Sequence, residues 1–254
     1  MMKLLKKIKN SINFLKSKNR GGYLLPLLLF IFSCGIPVFY YISPPVKFTT
    51  LSFYHAYNND PDYTIGYDFF YRIYDGNITT ESIVISEANT FFTDNNLLEL
   101  LYSNQNLLNN NYFKRILPIS DDIGTSYNPL TTVDTPLMKI DPNYFDKDDS
   151  SKIFDITVSI LPNGDGEIST SGYSPAGCYS SKIQFNRYVT SNNNDFEQKN
   201  FFEIDELHDD IQSLNGLSTV DIAFFVVLYG LTENFIPVFS DVVYIGSVND
   251  LLFN

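Results

Sequence analysis

The sequence predicts a mainly β protein, a β-sandwich domain behind an N-terminal signal or anchor helix. Three observations carry that expectation. A basic leader runs into an apolar stretch that ends at Cys34, and two later segments have strand length and strand composition. The aromatic content, 22 Phe and 18 Tyr with no Trp, suits strands better than helices.

Lys3, Lys6, Lys7, Lys9, Lys16, Lys18 and Arg20 place seven positive charges in the leader, with no acid among them. Tyr23 to Ser33 (YLLPLLLFIFS) is then uncharged and apolar, and Cys34-Gly35 follows. That order matches the n-region and h-region of a secretory signal. The positive end stays cytoplasmic, so the remainder is expected outside the cytoplasm, in the cell envelope. The sequence allows two anchors. In one, Ile31-Phe32-Ser33-Cys34 is a lipobox: the leader is cleaved, Cys34 carries lipid, and small Ser33 and Gly35 leave room for the chemistry. In the other, residues 23–42 stay as a helix of about the ~20 residues that span a bilayer. Pro26 and Pro37 interrupt that run and Ser43-Pro44-Pro45 closes it, so the lipid on Cys34 is the favoured anchor. The domain boundaries read from this are 1–33 for the signal or anchor, 34–47 for the tether and 48–254 for the exported β-sandwich.

Beyond Ser33 the chain keeps ten Lys and Arg against all 29 Asp and Glu, a net charge near −19 where the whole chain has −12. Nucleic acid demands a cationic surface to displace counterions, so it is excluded as a partner. The same charge opposes peripheral binding to anionic lipid heads. Only Cys178 remains besides Cys34, so no disulfide within the domain is available and packing alone must hold it.

Phe48 to Tyr54 is the first expected strand, ending at Asn58-Asn59-Asp60-Pro61. In the next, Ile65, Tyr67, Phe69, Tyr71 and Ile73 fall on one face at period two, while Phe70 and Tyr74 line the other, so both faces are expected to be covered. From Asp94, a cap, to Leu108 the apolar residues take helical spacing, giving the one short helix expected in the exported part. Leu130 to Ile140, Phe154 to Leu161 and Lys182 to Val189 read as strands, with a hairpin turn at Pro162 to Gly166 leading into Glu167 to Thr170. Glu203 to Asp210 reads as a loop or short helix. Val220 to Leu231 (VDIAFFVVLYGL) is too short to cross a bilayer and reads as a central strand buried on both faces; Phe235 to Ile245 is the last, with Pro237 at an edge start.

Gly66-Tyr67-Asp68-Phe69-Phe70-Tyr71-Arg72 resembles the third strand of a fibronectin type III domain. Val220 to Gly230 and Ser240-Asp241-Val242-Val243-Tyr244-Ile245-Gly246 resemble its last two. Together with Cys34-Gly35-Ile36-Pro37 and Pro44-Pro45, the order resembles a group of spirochaete-type lipoproteins. The resemblance implies an immunoglobulin-like sandwich on a lipid tether. Such a module has about 100 residues, so the stretch from about 80 to 215 is expected to be a large insertion holding the helix and extra strands.

No nucleophile elbow, phosphate loop, His-Glu-x-x-His or Cys-x-x-Cys is present, and no catalysis or cofactor is expected. Glu206-Leu207-His208-Asp209-Asp210 offers two or three metal-type donors, read as a solvated loop; His55 is the only other histidine. Asn163 to Glu167 and Asp141 to Asp149 have spaced acids without the order of a calcium loop. Cys178 reads as a small core cysteine. The expected function is therefore a lipid-anchored binding or structural module with a protein or glycan partner. A single-pass subunit of a membrane complex and an anchored carbohydrate hydrolase are the alternatives.

Overall fold

Two long strands, both largely buried on their two faces, set the architecture: β3 (Thr64–Asp75) and β11 (Thr219–Leu231) pair antiparallel over almost their whole length. The computed structural model describes residues 41–54, 64–76, 81–94, 97–102, 105–119, 136–139, 154–172, 182–190, 196–205, 208–212, 219–232 and 235–252. The chain divides into two units, residues 1–40 and 41–254, and the described residues all belong to the second. Cys34 and the 23–42 run up to residue 40 lie outside them. Among the described residues no helix is long and apolar enough to cross a membrane.

The protein is mainly β, with two antiparallel sheets. One sheet has the order β1 (Val46–Thr49), β2 (Ser52–Tyr54), β7 (Phe154–Ile160), β8 (Gly166–Gly172), β9 (Lys182–Thr190) and β10 (Phe196–Lys199), with β5 (Leu117–Pro118) also paired to β9. The other is centred on β3 and β11. It adds β12 (Pro237–Phe239) and β13 (Val243–Leu252) beside β11, and β4 (Lys114–Arg115) and β6 (Met138–Lys139) beside β3. The segment 114–118 passes from one sheet to the other: Lys114 and Arg115 pair with β3, and Leu117 and Pro118 with β9.

Alternation distributes the side chains of β3 and β11 to two cores. Tyr67, Phe69, Tyr71 and Ile73, with Val220, Ile222, Phe224, Val226 and Leu228, face the other sheet and meet Phe53, Ile156, Val158, Ile168 and Phe185. Phe70 and Tyr74, with Ala223, Phe225 and Val227, face away and are covered by helices. These helices are α1 (Glu81–Asp94), α2 (Leu97–Tyr102) and α3 (Gln105–Asn110). The layers are thus sheet, sheet and helices, and Phe113 ties the last two, its ring 5.5 Å from Phe225 and stacked at 5.0 Å on Phe91.

Several expectations need correction. In place of one helix from Asp94 to Leu108 there are three among the described residues, and Asp94 closes the first rather than capping the next. The stretch Glu81–Asp94 (ESIVISEANTFFTD) is rich in β-branched and aromatic residues, which are poor helix formers. Burial of Val84 and Ala88 on sheet-facing Phe70 and Phe225 stabilises it as a helix regardless. The first strand is in fact the hairpin β1–β2. Leu51 takes a left-handed φ of 59°, donates its N–H to Ile245 O at 2.9 Å and accepts from Val158 N at 2.8 Å. Its turn is made by tertiary hydrogen bonds, without Gly or Pro. Gly246, at φ 149°, lets this turn approach, since a Cβ there would stand 2.7 Å from Leu51 N.

The last strand is likewise divided. The Ser240 hydroxyl accepts Leu228 N–H at 2.9 Å, taking a ladder position between β12 and β13. Pro237 does begin a strand, opposite Leu231. Of the Leu130 to Ile140 strand, residues 136–139 are described and Met138–Lys139 of them form β6, whereas β10 was not expected. The expected strands at β7, β8, β9 and β11 and the 162–166 turn are present; Gly164 takes φ 87° and donates to Leu161 O at 2.9 Å.

If both faces of β11 are core, Phe224→Ala and Phe225→Ala will each lower the unfolding free energy by about 3–5 kcal/mol. Urea denaturation measures both. A Phe225→Ala loss below about 1 kcal/mol would show that the helix layer contributes no packing.

Candidate functional site

Strand β9 carries Phe185, Arg187 and Val189 on alternate positions, all three buried, so a guanidinium enters the core between two apolar neighbours. Such a charge requires a partner and a full set of acceptors. Arg187 has both. Its Nε donates to Asp210 Oδ2 at 2.8 Å and an Nη to Oδ1 at 2.6 Å, a bidentate pair with neither side chain exposed. The other Nη donates to Glu203 O at 2.8 Å. Tyr71 on β3 adds its hydroxyl to Asp210 Oδ2 at 2.7 Å. Asp210 therefore joins one strand from each sheet.

The segment from Asn200 to Ile211 is positioned by its own hydrogen bonds. Asn200 Oδ1 accepts from Phe202 N and Glu203 N, at 2.8 and 3.1 Å, and Phe201 and Ile211 enter the core. Asp209 accepts from Thr190 N at 2.9 Å, Thr190 Oγ1 at 3.0 Å and Lys114 Nζ at 2.8 Å, which fastens the segment to β9 and β4. His208 Nδ1 faces two donors at 3.3 Å, an Arg187 Nη and the N–H of Asp205. Only a neutral ring with an unprotonated Nδ1 accepts from both.

The electrostatics follow from this arrangement. Burial opposes ionisation of Asp210, but Arg187 and the hydroxyl of Tyr71 more than offset it and hold the carboxyl below its ordinary value. Burial likewise opposes the charge on Arg187, and Asp210 raises its pKa nonetheless. The phenol of Tyr71 is pushed well up by burial and then by the Asp210 charge. Burial and then Arg187 lower His208, against an opposing pull from Asp210 and Asp205. Arg187, Asp210 and Tyr71 are directed at one another across the two sheets, so their chemistry is that of a clasp.

The described metal-type donors of the 206–210 stretch, His208 to Asp210, thus have different partners. Asp209 goes to Lys114 and Thr190, Asp210 to Arg187 and Tyr71, and no group of three or more His, Cys, Asp or Glu converges among the described residues. In the 163–167 turn Asn163 Nδ2 donates to Asp165 at 2.6 Å and Glu167 pairs with Lys182 at 3.3 Å, which is turn chemistry. Cys34, His55, Cys178 and Asp141 to Asp149 lie outside the described residues. Sequence reasoning missed Arg187 and its association with Tyr71 and Asp210, the last read as part of a solvated loop and in fact buried. The available signal was a lone Arg at an inward position of an alternating strand.

On the far side of the β3–β11 sheet, α1 and the 107–113 segment border a surface cavity of about 530 Å³. Arg72 lies at its base, 3.0 Å from Glu87 and with its guanidinium 4.7 Å from the Tyr74 ring centre and 5.1 Å from that of Phe113. Ser86, Thr90, Asp94 and Asn111 make its rim. Burial raises the Tyr74 phenol, with Arg72 opposing. The cavity offers an aromatic wall and polar rim groups, a composition that suits binding. Glu87 and Asp94 are two turns apart on α1, about 10 Å along its axis.

Comparison with protein-family models, curated proteins and solved structures gives no match for this chain.

Asp210→Ala leaves Arg187 buried and uncompensated, and an unfolding loss of about 3–5 kcal/mol is expected by urea titration. With its pKa lowered in the fold, His208 contributes stability that is present above 6.5, its ordinary value, and lost as pH falls through the folded value. Unfolding midpoints measured from pH 7 to 4 should therefore decline below 6.5. His208→Asn, which keeps an acceptor but cannot titrate, should flatten that decline and leave the carboxylate-driven loss at lower pH; an unchanged profile would exclude His208 as its source.

Proposed function

We propose that the protein is a lipid-anchored, extracytoplasmic binding or structural module, held to a membrane of the cell envelope through Cys34. The observation that carries this reading is the order of the N-terminal residues: seven cations, an apolar run, then Cys34-Gly35. Tyr41, where the second unit begins, is only seven residues past that cysteine. A domain with two cores of its own suits a cargo carried on a short tether.

The binding reading is preferred to carbohydrate hydrolysis. A pair of catalytic carboxyls stands about 5–9.5 Å apart across the scissile bond, and one must be free to act as acid. In the 530 Å³ cavity Glu87 is bound to Arg72, and Asp94 is two helical turns away. The aromatic wall and polar rim support a protein or glycan partner instead.

The immunoglobulin-like identity is part of the proposal. In that fold the third strand pairs with the sixth and the sixth with the seventh. The three segments that resemble those strands fall in β3, in β11 and at the start of β13, and they pair in that order. The opposite sheet departs from the immunoglobulin order, because β7, β8 and β9 follow one another as a meander.

Intact mass of the membrane-extracted protein tests the anchor. A chain beginning at Cys34 with added acyl mass, absent from a Cys34→Ala variant, is expected. An unmodified chain beginning at Met1 or Met2 would overturn the reading in favour of a single-pass protein anchored by residues 23–42.

A further inference from the structure

Large apolar side chains stand exposed at one end of the sandwich. Phe235 is 80% exposed and Ile236 53%, in the connection between β11 and β12; Val46, at the start of β1, is 58% exposed. These positions share an end for reasons of register. The Leu51 N–H bonds Ile245 O, next to the Tyr244–Phe225 pair, whereas two residues later Phe53 packs at 5.1 Å on Tyr67, the partner of Leu228. Strand β2 therefore runs toward the end where Thr64 faces Gly230. Val46, paired with Tyr54, lies toward that end from the Leu51 turn, and Phe235 and Ile236 lie at it, since Leu231 pairs with Pro237. Tyr41, 71% exposed, is five residues before Val46.

Hydrogen bonds tie Phe235 and Ile236 to Thr232. Thr232 N donates to Ile236 O at 2.9 Å, Phe235 N to Thr232 O at 2.8 Å and Ile236 N to Thr232 Oγ1 at 3.1 Å. Phe235 takes a left-handed φ of 60°, an unfavourable conformation for a bulky residue, and its ring remains in solvent. An exposed aromatic on a hydrogen-bonded, strained turn is the pattern of a contact residue.

We propose that this end of the domain docks on a lipid bilayer, with Phe235 and Ile236 entering the boundary between headgroups and acyl chains. The inference rests on the anchor reading of Cys34. From Cys34 to Tyr41 the tether spans at most about 25 Å. The end through which the chain enters the domain is thereby kept near the membrane, and that is the end bearing these side chains. An acidic domain gains nothing from anionic headgroups, so the contact is apolar and interfacial, as phenyl rings favour.

The chain has no Trp, so Phe235→Trp supplies a single fluorescent reporter. Leu252→Trp supplies one at the opposite end, where Leu252 is exposed and pairs with Thr219. The full chain, extracted in its membrane form, is reconstituted into phosphatidylcholine vesicles with and without brominated acyl chains and floated on a density gradient. Expected is a floating protein whose residue 235 reporter is blue-shifted and quenched by the brominated lipid, while the residue 252 reporter is neither. A floating protein with an unquenched residue 235 reporter overturns the docking and leaves the anchor intact; a blue shift without quenching also overturns it and assigns the surface to a protein contact. A chain that does not float overturns the anchor and the docking together.

Discussion

A strand apolar on both faces is stable only when both faces are covered, and β11 imposes that requirement on the rest of the molecule. Val220, Ile222, Phe224, Val226 and Leu228 demand a second sheet, while Ala223, Phe225 and Val227 demand a further layer. Antiparallel pairing with β3 doubles the demand, since β3 alternates in the same way. The opposing sheet answers the first and the helices α1 to α3 the second. Burying both sets removes a large apolar area from water, at roughly 25 cal/mol per Å², in a domain with no internal disulfide available.

The polar interior is arranged around that constraint. Arg187 lies on the inward face of β9, where its charge is tolerable only because Asp210 is delivered to it by the 200–211 segment and Tyr71 reaches across from β3. A second buried pair has the same logic on the helix side: Asp68 accepts from Arg115 at 2.9 and 3.0 Å and from Leu137 N at 3.0 Å, fixing the segments that flank β3. Replacing pairs of this kind with apolar residues is often neutral for stability, whereas breaking them is costly. Their value lies in specifying one arrangement of strands and loops. They hold an irregular segment and two short strands that apolar packing alone would leave undefined.

The proposed address rests on the leader and Cys34, a matter of chain chemistry. The surfaces come from the fold: a mixed polar and aromatic cavity beside α1, and an apolar tip at Phe235 and Ile236. They belong to opposite kinds of recognition, the cavity suited to a soluble partner and the tip to a lipid interface. A module tethered as proposed would use both.

The sequence by itself determined the strands whose apolar residues repeat at period two or run uninterrupted: β3, β7, β9 and β11, and the turn at Asn163-Gly164. In these, local pattern and burial agree. It also determined that β3 and β11 would be covered on both faces, because Phe70 and Tyr74 in the one and Phe225 in the other put aromatic rings on the second face. What covers them was decided only by tertiary structure. Glu81–Asp94 has a composition closer to a strand and becomes a helix because its Val84 and Ala88 meet the outer face of the sheet. The bend at Leu51 and the break at Ser240 are set by hydrogen bonds to Ile245, Val158 and Leu228, residues distant in the chain or on a neighbouring strand. The same holds for the clasp: Tyr71 and Asp210 are 139 residues apart, and no local pattern encodes a partner at that separation. Local sequence fixes the periodicity of an element, and only the packed chain fixes which polar groups meet.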